Sequence, residues 1–212
     1  SGRMEPLGRT FIQAENEIAA INMVMGVAAC GRRALTASSG PGISLKQEGI
    51  SYMNQMESPC VILNVVRWGN GLGSLDGSQT DYLRETRGGG NGDYRNIVLC
   101  PSTVQESVDL MYEAFDIAER HRCIVEVMTD SGLGQMMEPC EFPPFRQVKK
   151  CSWGLDGTYR VKRSDFLNRD IPAESRKYVE KLEEMRRSEQ RWESVQTEDA
   201  EYVFVAFGLC GR

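Results

Sequence analysis

The chain has 212 residues, 25 of them Lys or Arg and 30 Asp or Glu, so its formal charge is −5 and no basic excess is available to grip a polyanion; nucleic acid is excluded as an expected partner. Apolar residues at 41% and charged residues at 26% are the proportions of an ordinary globular protein with a sizeable core. No apolar run approaches the roughly 20 residues of a membrane-crossing helix, and the opening SGRMEPLG has no secretory-signal pattern, so the expectations are a cytoplasmic protein and no membrane partner.

In chain order, FIQAENEIAAINMVMGV leads into a helix expected from Glu15 to Cys30, with Gly31 as its C-terminal cap. RALTAS (33–38) reads as a short strand, SSGPG (38–42) as a tight turn, and 43–56 as a helix carrying Ile43, Leu45, Ile50 and Met53. CVILNVV (60–66) is a continuous apolar strand of the kind found in a sheet covered on both faces. A long polar, glycine-rich stretch follows, then the strand NIVLC (96–100). Next comes a helix opened by Ser102 and Gln105 as a capping box, with Val104, Val108, Met111, Phe115, Ile117 and Ala118 on its inner side. CIVEVMTD (123–130) is a fourth strand. Alternating strands and helices with short links predict an α/β fold of three layers around a mainly parallel sheet.

After Pro139 the pattern changes. Residues 138–170 predict an extended segment crossing a surface, and 172–195 a solvated helix laced with opposite charges. AEYVFVAFGLCGR (200–212) reads as a strand entering a glycine turn, as at the start of a further α/β unit. The expected division is therefore a main domain over 1–140, a crossing segment and charged helix over 141–199, and the first strand of a following, mostly absent domain over 200–212. A sheet of this kind is expected to begin before Phe11, so a chain shortened at both ends is anticipated.

The seven cysteines form no C-x-x-C pair and there is a single histidine, His121, so neither a zinc nor an iron–sulfur framework is expected on this chain. They read as buried thiols packed as small hydrophobes. SSGPG could expose backbone N–H groups to a phosphate, but it lacks the G-K-[ST] ending of a P-loop, and taken alone it reads rather as a tight strand-to-helix turn. NGDYRN (91–96) reads as a loop. Arg67 falls just past the strand 60–66, at the carboxyl end where α/β folds place ligands, ahead of a loop long enough to be functional. Glu15 and Glu17 fit a first helical turn, where acids favour the dipole. The nearly all-apolar run IAAINMVMGVAAC behind them predicts a buried helix start, where a carboxyl kept from water holds a proton more readily.

These residues also carry a resemblance. Glu17, Ala20 and Gly26 within ENEIAAINMVMG, followed by ALTASSGPGISLKQEGISY, are similar to the pyrimidine-binding domain of 2-oxoacid:ferredoxin oxidoreductases, alpha-type subunit. GNGLGSLDGSQTDYLRETRGGGNGDYRNIVLC and DSGLGQMMEP resemble the branched-chain branch, which acts on 2-oxoisovalerate (3-methyl-2-oxobutanoate); 2-oxoglutarate or pyruvate, or a non-catalytic assembly module, are the alternatives. The resemblance implies a thiamine-diphosphate-binding (pyrimidine-type) fold over 1–140. It implies thiamine diphosphate shared with a diphosphate-binding (beta-type) subunit, with Mg²⁺ and iron–sulfur clusters on partner subunits only and no metal on this chain. It also implies an iron–sulfur subunit, ferredoxin, coenzyme A and a 2-oxo acid as partners in a hetero-oligomer, with a dimer as the arrangement of the chain alone.

For the site, the resemblance implies that Glu17, nine residues before Gly26, faces the aminopyrimidine of the cofactor. Glu15 lies about 200° round the same helix and would face elsewhere. Arg67 matches the family's substrate-facing arginine, and Ser38, Ser39, Gly40 and Pro41 line the cofactor side. The chain departs from the family in three places. The G-Y-P-I-T-P segment is absent, Trp68-Gly69-Asn70 stands where relatives usually read G-G-P, and Gly90-Asn91-Gly92-Asp93 stands where they commonly read G-H-G-D.

Overall fold

Parallel strands β1 (Leu35–Ser38), β2 (Cys60–Val66), β3 (Ile97–Leu99) and β4 (Ile124–Asp130) form one sheet in the order β1-β2-β4-β3 in the computed structural model, which describes residues 2–148, 151–154 and 169–212. Register sets Ile62 beside Glu126 and Asn64 beside Met128, so Ile62, Asn64, Glu126 and Met128 share one face because side chains alternate along a strand. That face packs with Ile21, Val24, Ile43, Ile50 and Met53 of α1 (Glu17–Ala29), α2 (Pro41–Leu45) and α3 (Gln47–Gln55). The opposite face, with Val61, Val125 and Val127, meets Ala114, Ile117 and Ala118 of α5 (Val104–His121). The three-layer α/β reading is met, with a helix layer on each side of a parallel sheet. Two short helices, α4 (Tyr82–Arg87) and α6 (Ser131–Gln135), and the longer α7 (Ile171–Glu189) complete the regular structure.

Local chemistry moves several expected boundaries. Asn16 caps α1, its Oδ1 accepting from Ala19 N at 2.8 Å, so the helix begins at Glu17 and Glu15 stays outside it, bonded to the Asn16 amide. The helix expected over 43–56 is two helices meeting at Lys46. The capping box of α5 sits one residue later than Ser102 and Gln105: Thr103 accepts from Glu106 N at 3.1 Å, and the Glu106 carboxylate accepts from Ser102 N at 2.7 Å. The glycine-rich loop contains α4, which the sequence did not reveal. Residues 136–148 are irregular and lie along α5, where the Tyr112 hydroxyl donates to the Pro144 carbonyl at 2.7 Å.

No strand forms over 200–212. A strand requires a neighbour for its N–H and C=O groups, and among the described residues this segment pairs with none; Phe204 and Val205 stand in solvent. Instead Phe207 packs its ring on Tyr82 with centroids 5.1 Å apart, its carbonyl accepts from Gln79 Nε2 at 2.7 Å, and Gly208–Gly211 closes a 3-10 turn. The cysteines divide: Cys60 and Cys123 are buried as expected, whereas Cys30 and Cys210 are exposed. Burial pushes the Cys123 thiol up to about 12, so it stays neutral and packs as a small hydrophobe.

Candidate active site

The carboxyl ends of β1 and β2 lie side by side, with Ser38 paired to Asn64 in register, and the segments leaving them build the site. Beyond Ser38 the chain must reverse into α2, and Gly40 does this at φ +48°, a left-handed value that a side chain would strain. Pro41, with its preset φ and no N–H to satisfy, starts the helix. Gly42 N then bonds Ser39 O at 3.0 Å and Ile43 N bonds Gly40 O at 3.1 Å. Those two amides are consumed in closing the turn, which weakens the phosphate-cradle reading of SSGPG.

What the turn offers is close approach. A Cβ on Gly42 would stand 2.2 Å from Ser38 Oγ and 2.8 Å from Glu17 Oε1, so only glycine there allows the Glu17 carboxylate and Ser38 hydroxyl to converge. Among the described residues Glu17 forms no hydrogen bond or ion pair through its carboxylate, which leaves both oxygens free to accept. The burial expected for the start of α1 is only half met. Ile21, Val24 and Ala28 are buried on α3 and the sheet, but Ile18, Met23 and Val27 are exposed on the other side and Glu17 is half-buried between them. The apolar run is thus two stripes, and this chain's described residues cover one of them.

Arg67 leaves β2 and lays its guanidinium on Gly40: a Cβ there would lie 2.6 Å from Arg67 Nε. Arg67 Nε is buried and has no hydrogen-bond partner among the described residues, an orphaned cationic donor at the mouth of the turn. The structure therefore brings Glu17, Ser38, Gly40 and Arg67 into one neighbourhood, with Ser39 and Pro41 in the connecting turn, and sets Glu15 apart from them beyond the helix cap.

Sequence reasoning missed two sets of neighbours. Lys46, at the junction of α2 and α3, is 1% exposed; burial lowers its pKa, and the nearby Glu17 charge opposes that shift. Nothing in the helical spacing marks it. Arg84 of α4 grips the other shoulder of the turn, Nη1 donating to Gly40 O at 3.2 Å and to Ser44 Oγ at 2.9 Å. Behind it lie Glu85, Asn64 and Glu126, all buried. Asn64 and Glu126 were visible as the polar residues interrupting CVILNVV and CIVEVM; Glu85 lay hidden in the loop.

The family described as "Pyruvate flavodoxin/ferredoxin oxidoreductase, thiamine diP-bdg" matches residues 2–203. Among curated relatives, the ketoisovalerate oxidoreductase subunit VorB of Methanothermobacter thermautotrophicus is 48% identical over 97% of this chain and 60% of its own length. The 2-oxoglutarate synthase subunit KorA of Archaeoglobus fulgidus is 42% identical over 67% of this chain and 41% of its own length. The chain thus spans about three-fifths of the VorB relative it matches. A solved 2-oxoglutarate:ferredoxin oxidoreductase from Magnetococcus marinus, with 2-oxoglutarate, coenzyme A and succinyl-CoA bound, superposes with a TM-score of 0.60 at 32% identity, covering 62% of this chain and 23% of that one. The parallel α/β sheet, the convergence at its carboxyl edge and a match over nearly the whole chain lead to one conclusion: this chain belongs to the thiamine-diphosphate-binding family of pyruvate flavodoxin/ferredoxin oxidoreductases.

Proposed function

We propose that this chain is the pyrimidine-side portion of a 2-oxoacid:ferredoxin oxidoreductase that uses thiamine diphosphate and converts a branched-chain 2-oxo acid, 2-oxoisovalerate, to its acyl-coenzyme A with electrons passed to ferredoxin. The observation that carries this reading is the unpartnered Glu17 carboxylate held against the bare backbone of Gly42 beside Ser38. An acceptor without a protein donor, set over a glycine surface, fits a flat heteroaromatic ring that presents an N–H. The orphaned Arg67 Nε fits an anionic group arriving at the same turn. Branched-chain specificity is favoured because the match to the ketoisovalerate relative is higher and spans more of the chain than that to the 2-oxoglutarate relative.

Thiamine diphosphate, when bound, supplies the electron sink that makes loss of CO₂ from a 2-oxo acid feasible. Glu17 would hold the aminopyrimidine by accepting from its ring N–H at a carboxylate oxygen. Ser38 and Gly42 fix the ring's floor, and Ser39, Gly40 and Pro41 hold the turn in place. Arg67 orients the substrate carboxylate by charge and by its free Nε donor. The diphosphate and its Mg²⁺ belong to a beta-type partner subunit, and the iron–sulfur clusters to partner subunits that hand electrons to ferredoxin. The outward stripe of α1, beside Glu17, is the surface such a partner would cover.

The test is the chain co-purified with its partner subunits and assayed on 2-oxoisovalerate, 2-oxoglutarate and pyruvate with coenzyme A and a viologen acceptor. Glu17→Gln is expected to lower turnover by about 10²–10⁴-fold, the usual worth of a positioned acid–base group, while Glu15→Gln retains it. Full turnover in Glu17→Gln would sink the assignment. Calorimetry showing no thiamine diphosphate binding, with partner and Mg²⁺ present, would favour a non-catalytic assembly module instead.

A further inference from the structure

Two glutamates in this fold stand where glutamates are costly. Glu126, in the middle of β4, is 0% exposed and Glu85 of α4 is 1% exposed. They come together with Asn64 of β2, whose Nδ2 donates to Glu85 Oε1 at 3.0 Å and to Glu126 Oε1 at 2.9 Å. Arg84 Nε donates to Glu85 Oε1 at 2.6 Å, and Arg84 Nη2 to Asp81 Oδ2 at 2.9 Å. One guanidinium is thus shared between two acids, Asp81 and Glu85, and among the described residues makes no hydrogen bond to Glu126. Glu126 Oε2 and Asn64 Oδ1 are buried and, among the described residues, without a hydrogen-bond partner. Two carboxylates side by side in such a place cannot both stay ionised. Burial raises both; the Arg84 guanidinium bonded to Glu85 offsets that rise, whereas Glu126 accepts only from the neutral Asn64 amide and is raised well above the ordinary carboxylate range, so the proton rests on Glu126.

A buried ionic cluster is seldom worth more to stability than apolar residues of the same volume, so its use is sought in what it holds. Arg84, anchored by Glu85, makes its two remaining bonds to Gly40 O and Ser44 Oγ, the two ends of the turn that carries Pro41 and Gly42. We propose that Glu126 and Glu85, bridged by the Asn64 amide, are positioning residues for the candidate active site: through Arg84 they fix the Gly40–Ser44 turn in the shape that presents Ser38, Gly42 and Glu17 to the cofactor. This rests on the function proposed above.

The groups facing the pair are Asn64 and Cys60 of β2, Arg84 and Asp81 of α4, Tyr94 ahead of β3 and Cys100 after it. Burial pushes Tyr94 up and Cys100 up to about 12, so both stay neutral while the Glu126 proton is lost. Once it is lost, Glu85 and Glu126 repel, Arg84 is drawn from the turn, and cofactor affinity falls on the alkaline side.

The experiment measures thiamine diphosphate affinity of the complex with partner subunits and Mg²⁺ from pH 6 to 9. Glu126→Gln supplies a permanent N–H in place of the Glu126 proton. It is expected to hold affinity within about threefold of the parent at pH 7 and to flatten the alkaline decline. Glu126→Leu removes the donor and should weaken affinity by about tenfold to a hundredfold, the worth of an unmade buried hydrogen bond. The infrared difference spectrum of the parent against Glu126→Gln should show the C=O stretch of a protonated carboxyl at neutral pH, a readout that needs no cofactor and survives misfolding of the Leu variant. Absence of that band, or a parent profile that Glu126→Gln leaves unchanged, overturns the proposal alone. A parent complex that binds no thiamine diphosphate at any pH overturns the reading of function, and the positioning role with it.

Discussion

Lys46 poses the sharpest question at the scale of single residues. It is 1% exposed at the junction of α2 and α3, where a lysine is seldom buried. Burial lowers its pKa from 10.5, with Glu17 opposing the shift. The folded protein therefore binds this proton less tightly than the unfolded chain does. By linkage, stability falls short wherever the lysine is charged and recovers as pH rises through the window between its lowered folded value and 10.5. Lys46→Met keeps the length of the side chain and removes the charge, so it should raise stability at pH 7 by about 1–4 kcal/mol. Urea denaturation at pH 7 and pH 10 would check this, and the advantage should shrink at the higher pH. A destabilised Met variant would mean that the ammonium is held by interactions stronger than its burial cost. The family resemblance, through the spacing of Glu17 to Gly26, singled out Glu17 over Glu15, and the Asn16 cap sets the two apart; no local pattern pointed to Lys46, because burial of a lysine depends on what folds over it.

Among the elements, α5 depends most visibly on its first turn. Thr103 Oγ1 accepts from Glu106 N at 3.1 Å, and Glu106 returns the contact through Ser102 N and Ser102 Oγ, both at 2.7 Å. These hydrogen bonds lower the Glu106 pKa. Thr103→Ala should cost about 1 kcal/mol in a denaturation titration, the usual worth of such a cap; Ser102→Ala, on the exposed side, should cost less. The sequence marked this helix start within one residue, because a capping box is a local signal. Strands β2 and β4 were legible for a similar reason, since continuous apolar runs bounded by polar residues are sufficient to mark strands covered on both faces. The break at Lys46 was not, because apolar spacing runs through it from Ile43 to Met53. Helix α4 was missed because six residues, YLRETR, are too few to show a period. Residues 200–207 misled in the opposite direction: YVFVAF has strand propensity, but propensity does not supply a neighbouring strand.

At the scale of the whole molecule, the sheet is worked from both ends. Its carboxyl edge carries Ser38 and the exit to Arg67; its opposite edge, where β2 and β4 begin, is crossed by α7. That helix sets Tyr178 against the cluster containing Ile21 and Ile50, and Leu182 and Met185 against the cluster containing Ala114 and Val125, so one element touches both layers. Polar contacts fix it there. Lys181 Nζ donates to Arg122 O at 2.8 Å and pairs with Glu57 at 3.6 Å, while Glu189 Oε1 meets Arg120 Nη1 and His121 Nε2, each at 2.8 Å. Met185 is the buried apolar anchor of this arrangement. Met185→Ala should therefore lower unfolding free energy by about 2–5 kcal/mol through the cavity it leaves, seen as a reduced Tm and an earlier urea midpoint. The candidate site lies at the other end of the strands, so below the new melting range cofactor affinity in the assembled enzyme should stay within about twofold of the parent, as for distant sites with no shared partners. A Met185→Ala variant that kept its Tm would show that α7 rests on the fold without supporting it. A loss of affinity at a temperature where the variant is fully folded would show that the two ends of the sheet are coupled, and that packing under β2 and β4 sets the geometry of the turn above them.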